Sequence, residues 1–166
     1  MIPEIKKILY ATDLSENARY AFGYAACLSH RHGAVLTILH VVEELSPTAK
    51  MLIDDFFSEK QWKELRQEKE NKIVATLRAK LEEFCEEARQ ELHNNKFVCD
   101  DIVVVTGHPV DQIIHQIDEL DPDIVVMGSR GQGVLADVTL GSVSRRVLRR
   151  SKKPVLIVRL PEKKKS

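Results

Sequence analysis

The chain has 166 residues, and its 25 lysines and arginines are balanced by 25 aspartates and glutamates. A composition of 43% hydrophobic and 30% charged residues is typical of a folded globular protein and excludes an intrinsically disordered one. The zero net charge and the 5% aromatic content argue against a protein that binds nucleic acid with its whole surface. We therefore expect a single domain over residues 1–166 and no nucleic-acid partner.

Cysteine spacing and hydropathy bear on the cellular compartment. Cys27, Cys85 and Cys99 are widely separated and form no Cys-x-x-Cys pair, so neither a disulfide framework nor a zinc site is expected. The first residues contain no apolar stretch of signal-peptide length, and the longest apolar run, residues 34–42, is too short to cross a bilayer. These features predict a cytoplasmic protein without a membrane partner.

Along the chain, strand-like apolar runs alternate with stripes of apolar residues at helical spacing. Strands are predicted at residues 5–12, 34–42, 97–105, 123–127 and 154–158. Helices are predicted at residues 15–32, from 58 to about 92, from 109 onward, and from about 142 to 151. Residues 43–57 are predicted to be irregular, residues 46–72 to be a variable segment, and residues 160–166 to be a solvated basic tail.

Strands that are apolar throughout and are linked by helices indicate a parallel sheet covered on both faces. Right-handed crossovers make this a doubly wound α/β fold, in which ligands bind beyond the carboxyl ends of the strands at the topological switch point. The candidate site residues are therefore those that follow the strands. They are Thr12 and Asp13, Val41 to Glu43, Thr106 to His108, and Gly128 onward.

The glycine-rich segment after the fourth strand is the strongest chemical signal. Gly128-Ser-Arg-Gly131-Gln-Gly133 is followed by Gly141-Ser-Val-Ser144 at the start of a helix. Glycine lets the backbone approach a ligand closely, and the unpaired N–H groups of a helix start attract anions. The pattern fits a loop that cradles phosphates. The alternative interpretation is that the glycines form a tight turn and Ser142 only caps the helix.

Two other phosphate-binding patterns are less well matched. A Walker A loop needs a lysine directly after its last glycine, and this segment has none. The dinucleotide pattern G-x-G-x-x-A fits residues 131–136, but these residues precede the last predicted strand. The acidic residue expected roughly 20 positions later is also missing.

The spacing Gly128-x-x-Gly131, nine residues, Gly141-Ser142 resembles the G-2x-G-9x-G-(S/T) signature of the ATP-binding branch of the universal stress protein family. Residues 8–18, 107–109 and 140–158 are also similar to that family, so the resemblance covers nearly the whole chain apart from residues 46–72. It implies a Rossmann-like sheet of five parallel strands in the order 3-2-1-4-5. Helices would cover both faces, as in the adenine nucleotide alpha hydrolases, and a nucleotide would lie across the switch point.

The same resemblance implies roles for individual residues. Asp13 would contact the adenosine moiety, and the backbone at Val41 would bind the adenine edge. The glycine loop would border the ribose and phosphates, and the start of the last helix would hold the phosphate tail. The full set is Ala11, Thr12, Asp13, Val41, Met127, Gly128, Arg130, Gly131, Gly133, Gly141, Ser142, Val143 and Ser144. An aspartate before a helix can also serve only as an Asx turn or cap.

The function predicted from these features is binding of ATP, AMP or ADP by a stress-response sensor or regulator. With ATP, a Mg²⁺ or Mn²⁺ ion would bridge the phosphates. No catalytic residues are identified, so at most slow ATP hydrolysis is expected. The resemblance also implies a homodimer through the strand Pro154 to Val158. The alternatives are a small NAD(P)-binding oxidoreductase and a nucleotide-free interaction module of the same fold.

The zero net charge is an average over two unlike parts of the chain. Residues 128–166 contain 11 lysines and arginines and 2 acidic residues, a net charge of +9. Residues 1–127 carry the compensating −9. The positive charges near the glycine-rich segment create a field that favours an anion at that end of the molecule.

Overall fold

The computed structural model describes residues 1–44, 46–54, 58–91, 99–131 and 140–161. The elements, in chain order, are β1 (Lys7–Thr12), α1 (Glu16–His32), β2 (Val35–Glu43), α2 (Pro47–Asp54), α3 (Glu59–Glu91), β3 (Cys99–Gly107), α4 (Pro109–Leu120), β4 (Ile124–Gly128), α5 (Ser142–Arg150) and β5 (Val155–Val158). The strands form one sheet in the order β3-β2-β1-β4-β5, and every neighbouring pair is parallel. The predicted fold and strand order are confirmed.

The central strand β1 shows why both faces of the sheet are covered. Ile8 and Tyr10 point to one side and join a buried cluster with residues of α1 and α3, whereas Leu9 and Ala11 join a second cluster with α4 and α5. Successive side chains of a strand face opposite sides, so an unbroken apolar strand needs a helical layer on each. Burying each large apolar side chain contributes about 1.5–3 kcal/mol to folding.

Helix α1 begins and ends where the sequence predicts. The Ser15 Oγ accepts a hydrogen bond of 3.1 Å from the N–H of Ala18, and Gly33 ends the helix in the left-handed conformation with φ 61°. The Tyr10 hydroxyl of β1 donates a 2.5 Å hydrogen bond to the carbonyl of Ala18. Burial raises the pKa of Tyr10, so this hydroxyl keeps its proton and fixes α1 to the sheet.

The prediction that residues 43–57 are irregular is wrong for Pro47–Asp54, which form α2. The Ser46 hydroxyl accepts a 3.2 Å hydrogen bond from the N–H of Ala49, and Pro47 occupies the first helical position. A serine cap followed by proline is a favoured helix start, because an N–H group in the first turn has no acceptor within the helix. Proline therefore loses no hydrogen bond by lacking this group. The Ser-Pro pair therefore marks a helix start here and not a loop.

Helix α3 has 33 residues and begins at a capping box, in which the Ser58 Oγ lies 2.8 Å from the Gln61 Oε1. Its second half is anchored by Leu81 and Cys85, which are 0% and 3% exposed. In the first half the described side chains are exposed apart from Glu70, as the scarcity of apolar residues predicts. None of the helices within the described ranges is long and apolar enough to span a membrane.

Candidate functional site

A cavity of about 670 Å³ lies at the carboxyl ends of β1, β2 and β4, beside the start of α5. This is the switch point of the sheet, since β2 and β4 flank β1 on opposite sides. Of the residues to which the family resemblance gives a role, Gly133 lies outside the described residues, and all the others line the cavity. These are Ala11, Thr12, Asp13, Val41, Met127, Gly128, Arg130, Gly131, Gly141, Ser142, Val143 and Ser144. The candidates Gly107 and His108 line a second cavity instead.

The turn after β1 positions Asp13 at the cavity. The Thr12 Oγ1 accepts a 3.1 Å hydrogen bond from the N–H of Leu14, and the Asp13 Oδ1 accepts one of 3.0 Å from the N–H of Ser15. Leu14 adopts the left-handed conformation with φ 65°, which is uncommon for a residue with a branched side chain and makes the turn sharp. Asp13 therefore does form an Asx turn, through its Oδ1.

The other carboxylate oxygen of Asp13 faces the glycine-rich segment. A Cβ added to Gly131 would lie 2.5 Å from the Asp13 Oδ2, so only glycine allows this approach without moving the carboxylate. An aspartate with one oxygen in the turn and one beside the cavity can be a structural and a ligand-binding residue at once. The two interpretations of Asp13 do not exclude each other.

Hydrogen bonds hold the two ends of the glycine-rich segment together. The N–H of Gly141 donates to the carbonyl of Ser129 at 2.7 Å, and the N–H of Ser129 donates to the carbonyl of Val158 at 2.8 Å. The buried Ser144 hydroxyl donates to the carbonyl of Gly128 at 2.9 Å. As a result, β4, β5 and the start of α5 form one framework at the cavity.

Asn17 is a residue of this framework that the sequence analysis missed. Its Nδ2 donates a 2.7 Å hydrogen bond to the carbonyl of Arg130, and a Cβ on Gly128 would lie 2.6 Å from the same nitrogen. Asn17 is 6% exposed, and its Oδ1 has no hydrogen-bond partner among the described residues. The two partners are 113 positions apart, so only the fold shows the contact.

Helix α5 begins at the cavity without a side-chain cap. Gly141 is the N-cap residue, no acidic residue lies in the first turn, and the N–H of Arg145 is bonded to the carbonyl of Gly141. The first-turn N–H groups of Ser142, Val143 and Ser144 have no acceptor within the helix. With the partial positive charge of the helix start, they form a site that favours an anion.

Apolar side chains form the rest of the wall. Val41, Met127 and Ile113 come from β2, β4 and α4, and Ile73 and Leu77 reach the cavity from α3. His40 is half-buried, lines the cavity, and has its Nδ1 2.8 Å from the carbonyl of Thr12.

A second cavity of about 350 Å³ adjoins the first and shares Glu43, Pro109, Ser142 and Val143 with it. Its polar lining includes Glu43, Glu44, His108 and Arg146. The His108 Nδ1 lies 3.4 Å from Asp111, whose carboxylate also pairs with Arg150 at 2.6 Å. The hydrogen bond from Arg150 is the main reason that the pKa of Asp111 is lowered.

The described residues contain no group of three or more histidine, cysteine or acidic side chains placed to hold a metal ion. Within the described ranges, the arrangement combines an apolar wall, a carboxylate and an anion-favouring helix start around one cavity.

Comparisons with known proteins agree with this architecture. The model of the universal stress protein family matches residues 4–159. Universal stress protein MJ0577 of Methanocaldococcus jannaschii is 33% identical over 93% of this chain and 94% of its own. The solved structure of MJ0577 superposes with a TM-score of 0.74 at 30% identity, covering 96% of this chain and 99% of that one. A universal stress protein in complex with cAMP superposes with a TM-score of 0.62 at 25% identity, covering 94% of this chain and 98% of that one. The chain belongs to the universal stress protein family.

Proposed function

We propose that the chain binds an adenine nucleotide in the switch-point cavity. The observation that carries this proposal is the convergence of Asp13, the glycine-rich segment and the uncapped start of α5 on one cavity. The carboxylate suits the hydroxyl groups of a ribose, because an ionised carboxylate accepts hydrogen bonds. The helix start suits phosphate oxygens.

The volume of the cavity and its apolar wall also support an adenine nucleotide as the ligand. A volume of about 670 Å³ is within the range of sites for small molecules and cofactors, which are mostly apolar with a few placed polar groups. Val41 lies on β2 beside Thr12 and Asp13, so the backbone at the end of β2 can contact the adenine edge while Met127 packs on the ring. A relative that forms a complex with cAMP, at 25% identity, supports adenine as the base.

The phosphate end of the ligand decides among AMP, ADP and ATP. The net charge of +9 over residues 128–166 favours a ligand with several phosphates, and the adjoining second cavity offers space beside the first. With ATP, Mg²⁺ or Mn²⁺ would be held mainly by the phosphate oxygens, because the described residues supply no cluster of metal ligands.

In the cell, the proposed role is a nucleotide-responsive regulator of the stress response, located in the cytoplasm. Both described ends of the segment between Gly131 and Gly141 line the cavity, so nucleotide binding acts on both of its attachment points. The proposed homodimer uses β5, which lies at the edge of the sheet. Pairing this apolar strand with a second copy would cover backbone groups that an edge strand leaves unpaired.

The first experiment identifies the ligand. The purified protein is denatured and the released small molecules are analysed by mass spectrometry, and the emptied protein is then titrated with ATP, AMP and NAD in a calorimeter. We expect ATP or AMP to be released and to bind again. Release or binding of NAD(P) alone would favour the oxidoreductase alternative, and no binding of any of the three would favour an interaction module.

The second experiment compares two glycines that receive the same extra atom. Gly131→Ala places a Cβ 2.5 Å from the Asp13 Oδ2, whereas a Cβ on Gly23 has nothing within 4 Å. We expect Gly131→Ala to weaken nucleotide binding by about 10-fold, or about 1.4 kcal/mol, because the Asp13 carboxylate must move. Gly23→Ala, in the middle of α1, should leave the affinity unchanged and stabilise the fold slightly. Equal affinities of the two variants would contradict the assignment.

A further inference from the structure

Two of the three cysteines, which are separated in sequence, are in contact in the folded chain. Cys85 of α3 donates a hydrogen bond to the sulfur of Cys99, the first residue of β3, with the two Sγ atoms 2.7 Å apart. A disulfide bond places the same two atoms about 2.05 Å apart, so a small movement would join them. The third cysteine, Cys27, lies on α1 and has no second cysteine beside it in the part of the chain that the structure describes.

The two thiols differ in their access to solvent. Cys85 is 3% exposed and belongs to the core cluster, whereas Cys99 is half-buried at the margin of that cluster. The hydrogen bond to Cys99, together with burial, raises the pKa of Cys85. Cys85 therefore keeps its proton, and Cys99 is the thiol that a small oxidant in solvent reaches first.

We propose that Cys85 and Cys99 are a redox-active dithiol that hydrogen peroxide converts to an intramolecular disulfide. The Cys99 thiol first releases its proton to water, and its thiolate attacks one peroxide oxygen. The O–O bond breaks, which gives a sulfenic acid on Cys99 and a hydroxide that takes up the released proton to become one water. The sulfur of Cys85 then attacks the sulfur of Cys99, so the S–S bond forms and the S–O bond breaks. The departing hydroxide takes the Cys85 proton and leaves as a second water.

This disulfide would join α3 to the sheet. Cys85 lies one turn after Leu81 on the face of α3 that packs on β3, and Cys99 pairs with Leu36 of β2 in the sheet. The two cysteines are 14 positions apart, so the bond closes a short loop and restricts the unfolded chain. The inference does not depend on nucleotide binding, although Ile73 and Leu77 of the same helix line the cavity.

The test uses the full chain, reduced and then freed of reductant. After treatment with hydrogen peroxide, remaining thiols are alkylated and the protein is digested with trypsin without reduction. Cleavage after Lys80, Arg89 and Lys96 separates the two cysteines, so we expect peptide 81–89 to be joined to peptide 97–130. The oxidised chain should remain a single covalent chain and should unfold roughly 5–10 °C higher than the reduced chain.

Substitution of each cysteine in turn tests whether the bond forms between Cys85 and Cys99. Cys27→Ala should retain the linked peptides and the shift in unfolding temperature, whereas Cys99→Ala and Cys85→Ala should each lose both. The proposal is overturned if peptides 81–89 and 97–130 stay unlinked at a peroxide concentration that oxidises Cys27. Linkage through Cys27, or between two chains in place of the internal bond, would overturn it as well.

Discussion

Helices α1 and α5, which both begin at the cavity, start in opposite ways. At the start of α1, the Ser15 hydroxyl accepts a hydrogen bond from an N–H group of the first turn, and Glu16 adds a negative charge to that turn. At the start of α5, Gly141 offers no side chain, and the first turn contains no acidic residue. The chain thus supplies its own acceptor at one helix start and none at the other.

This difference separates a structural helix start from one suited to a ligand. Unpaired N–H groups and a partial positive charge are common to every helix start. Where the chain provides neither a cap nor a carboxylate, an external anion can take their place. The start of α5 meets this condition at the cavity, and the turn before α1 contributes Asp13 to the same cavity.

The largest effect is expected from placing a negative charge at the start of α5. Ser142→Asp should lower nucleotide affinity by roughly 30-fold, or about 2 kcal/mol, because the new carboxylate repels the phosphates. The same charge interacts favourably with the helix start and should stabilise the folded chain by about 0.3–1 kcal/mol. Calorimetric titration and thermal unfolding measure the two opposite effects.

Ser58→Asp is the matched control, because it adds a negative charge at the start of α3, away from the residues that line the cavity. It should leave nucleotide affinity unchanged. If Ser142→Asp binds the nucleotide as tightly as this control does, the phosphates do not lie at the start of α5.

A smaller effect is expected at the start of α1, and it should appear in stability and not in binding. Ser15→Ala removes the acceptor for the N–H of Ala18 and should destabilise the fold by about 1 kcal/mol, which corresponds to roughly 2–4 °C in unfolding temperature. Ser15→Gly should have only a fraction of this effect. If Ser15→Ala left the stability unchanged and greatly lowered the nucleotide affinity, the start of α1 would be the ligand-binding one, contrary to the proposal.

The smallest effect is expected at α4. Its N-cap residue, His108, makes no capping hydrogen bond with its side chain, but Asp111 in the first turn pairs with Arg150 of α5. Because Arg150 lowers the pKa of Asp111 in the folded chain, the pair stabilises the fold above the ordinary aspartate pKa of about 3.9. This contribution is lost as the pH falls through the lowered value. Asp111→Asn should slightly lower the unfolding temperature at pH 7.

The difference between Asp111→Asn and the unsubstituted chain should disappear in strong acid, where Asp111 is protonated in both the folded and the unfolded state. Asp118→Asn, on the exposed side of the same helix, is the control in a series of thermal unfolding curves from pH 7 to acid. A difference that persists unchanged at the lowest pH would show that the charge of Asp111 is not its source.

Much of the fold could be predicted because its elements depend on local patterns. The five strands are apolar runs and their ends were predicted within about two residues where the structure describes them, as expected for buried parallel strands. Helix α2 was missed although its signal, Ser46 before Pro47, is local. The pair is as common in turns as at helix starts, and no apolar stripe of sufficient length followed to decide between them.

The residues of the candidate site also differ in whether local sequence patterns could predict them. Asp13 and the glycine-rich segment could be identified because each directly follows a strand, and the topology brings the strand ends together. Asn17, Ile73 and Leu77 could not, because their positions at the cavity depend on how α1 and α3 pack against the sheet. The contact between Cys85 and Cys99 likewise exists only once α3 lies against β3.

Helix α3 is one continuous element, but its two halves differ in resistance to local opening. Its second half is held by Leu81 and Cys85 in the core, while most described side chains before Val74 are solvent-exposed. A helical turn without buried contacts opens at a much lower free energy than the core does. Ile73, which is 45% exposed, and Leu77 lie at the boundary between the halves and also line the cavity. The wall formed by α3 can therefore open to admit a ligand at a lower free energy than the core, while the sheet stays in place.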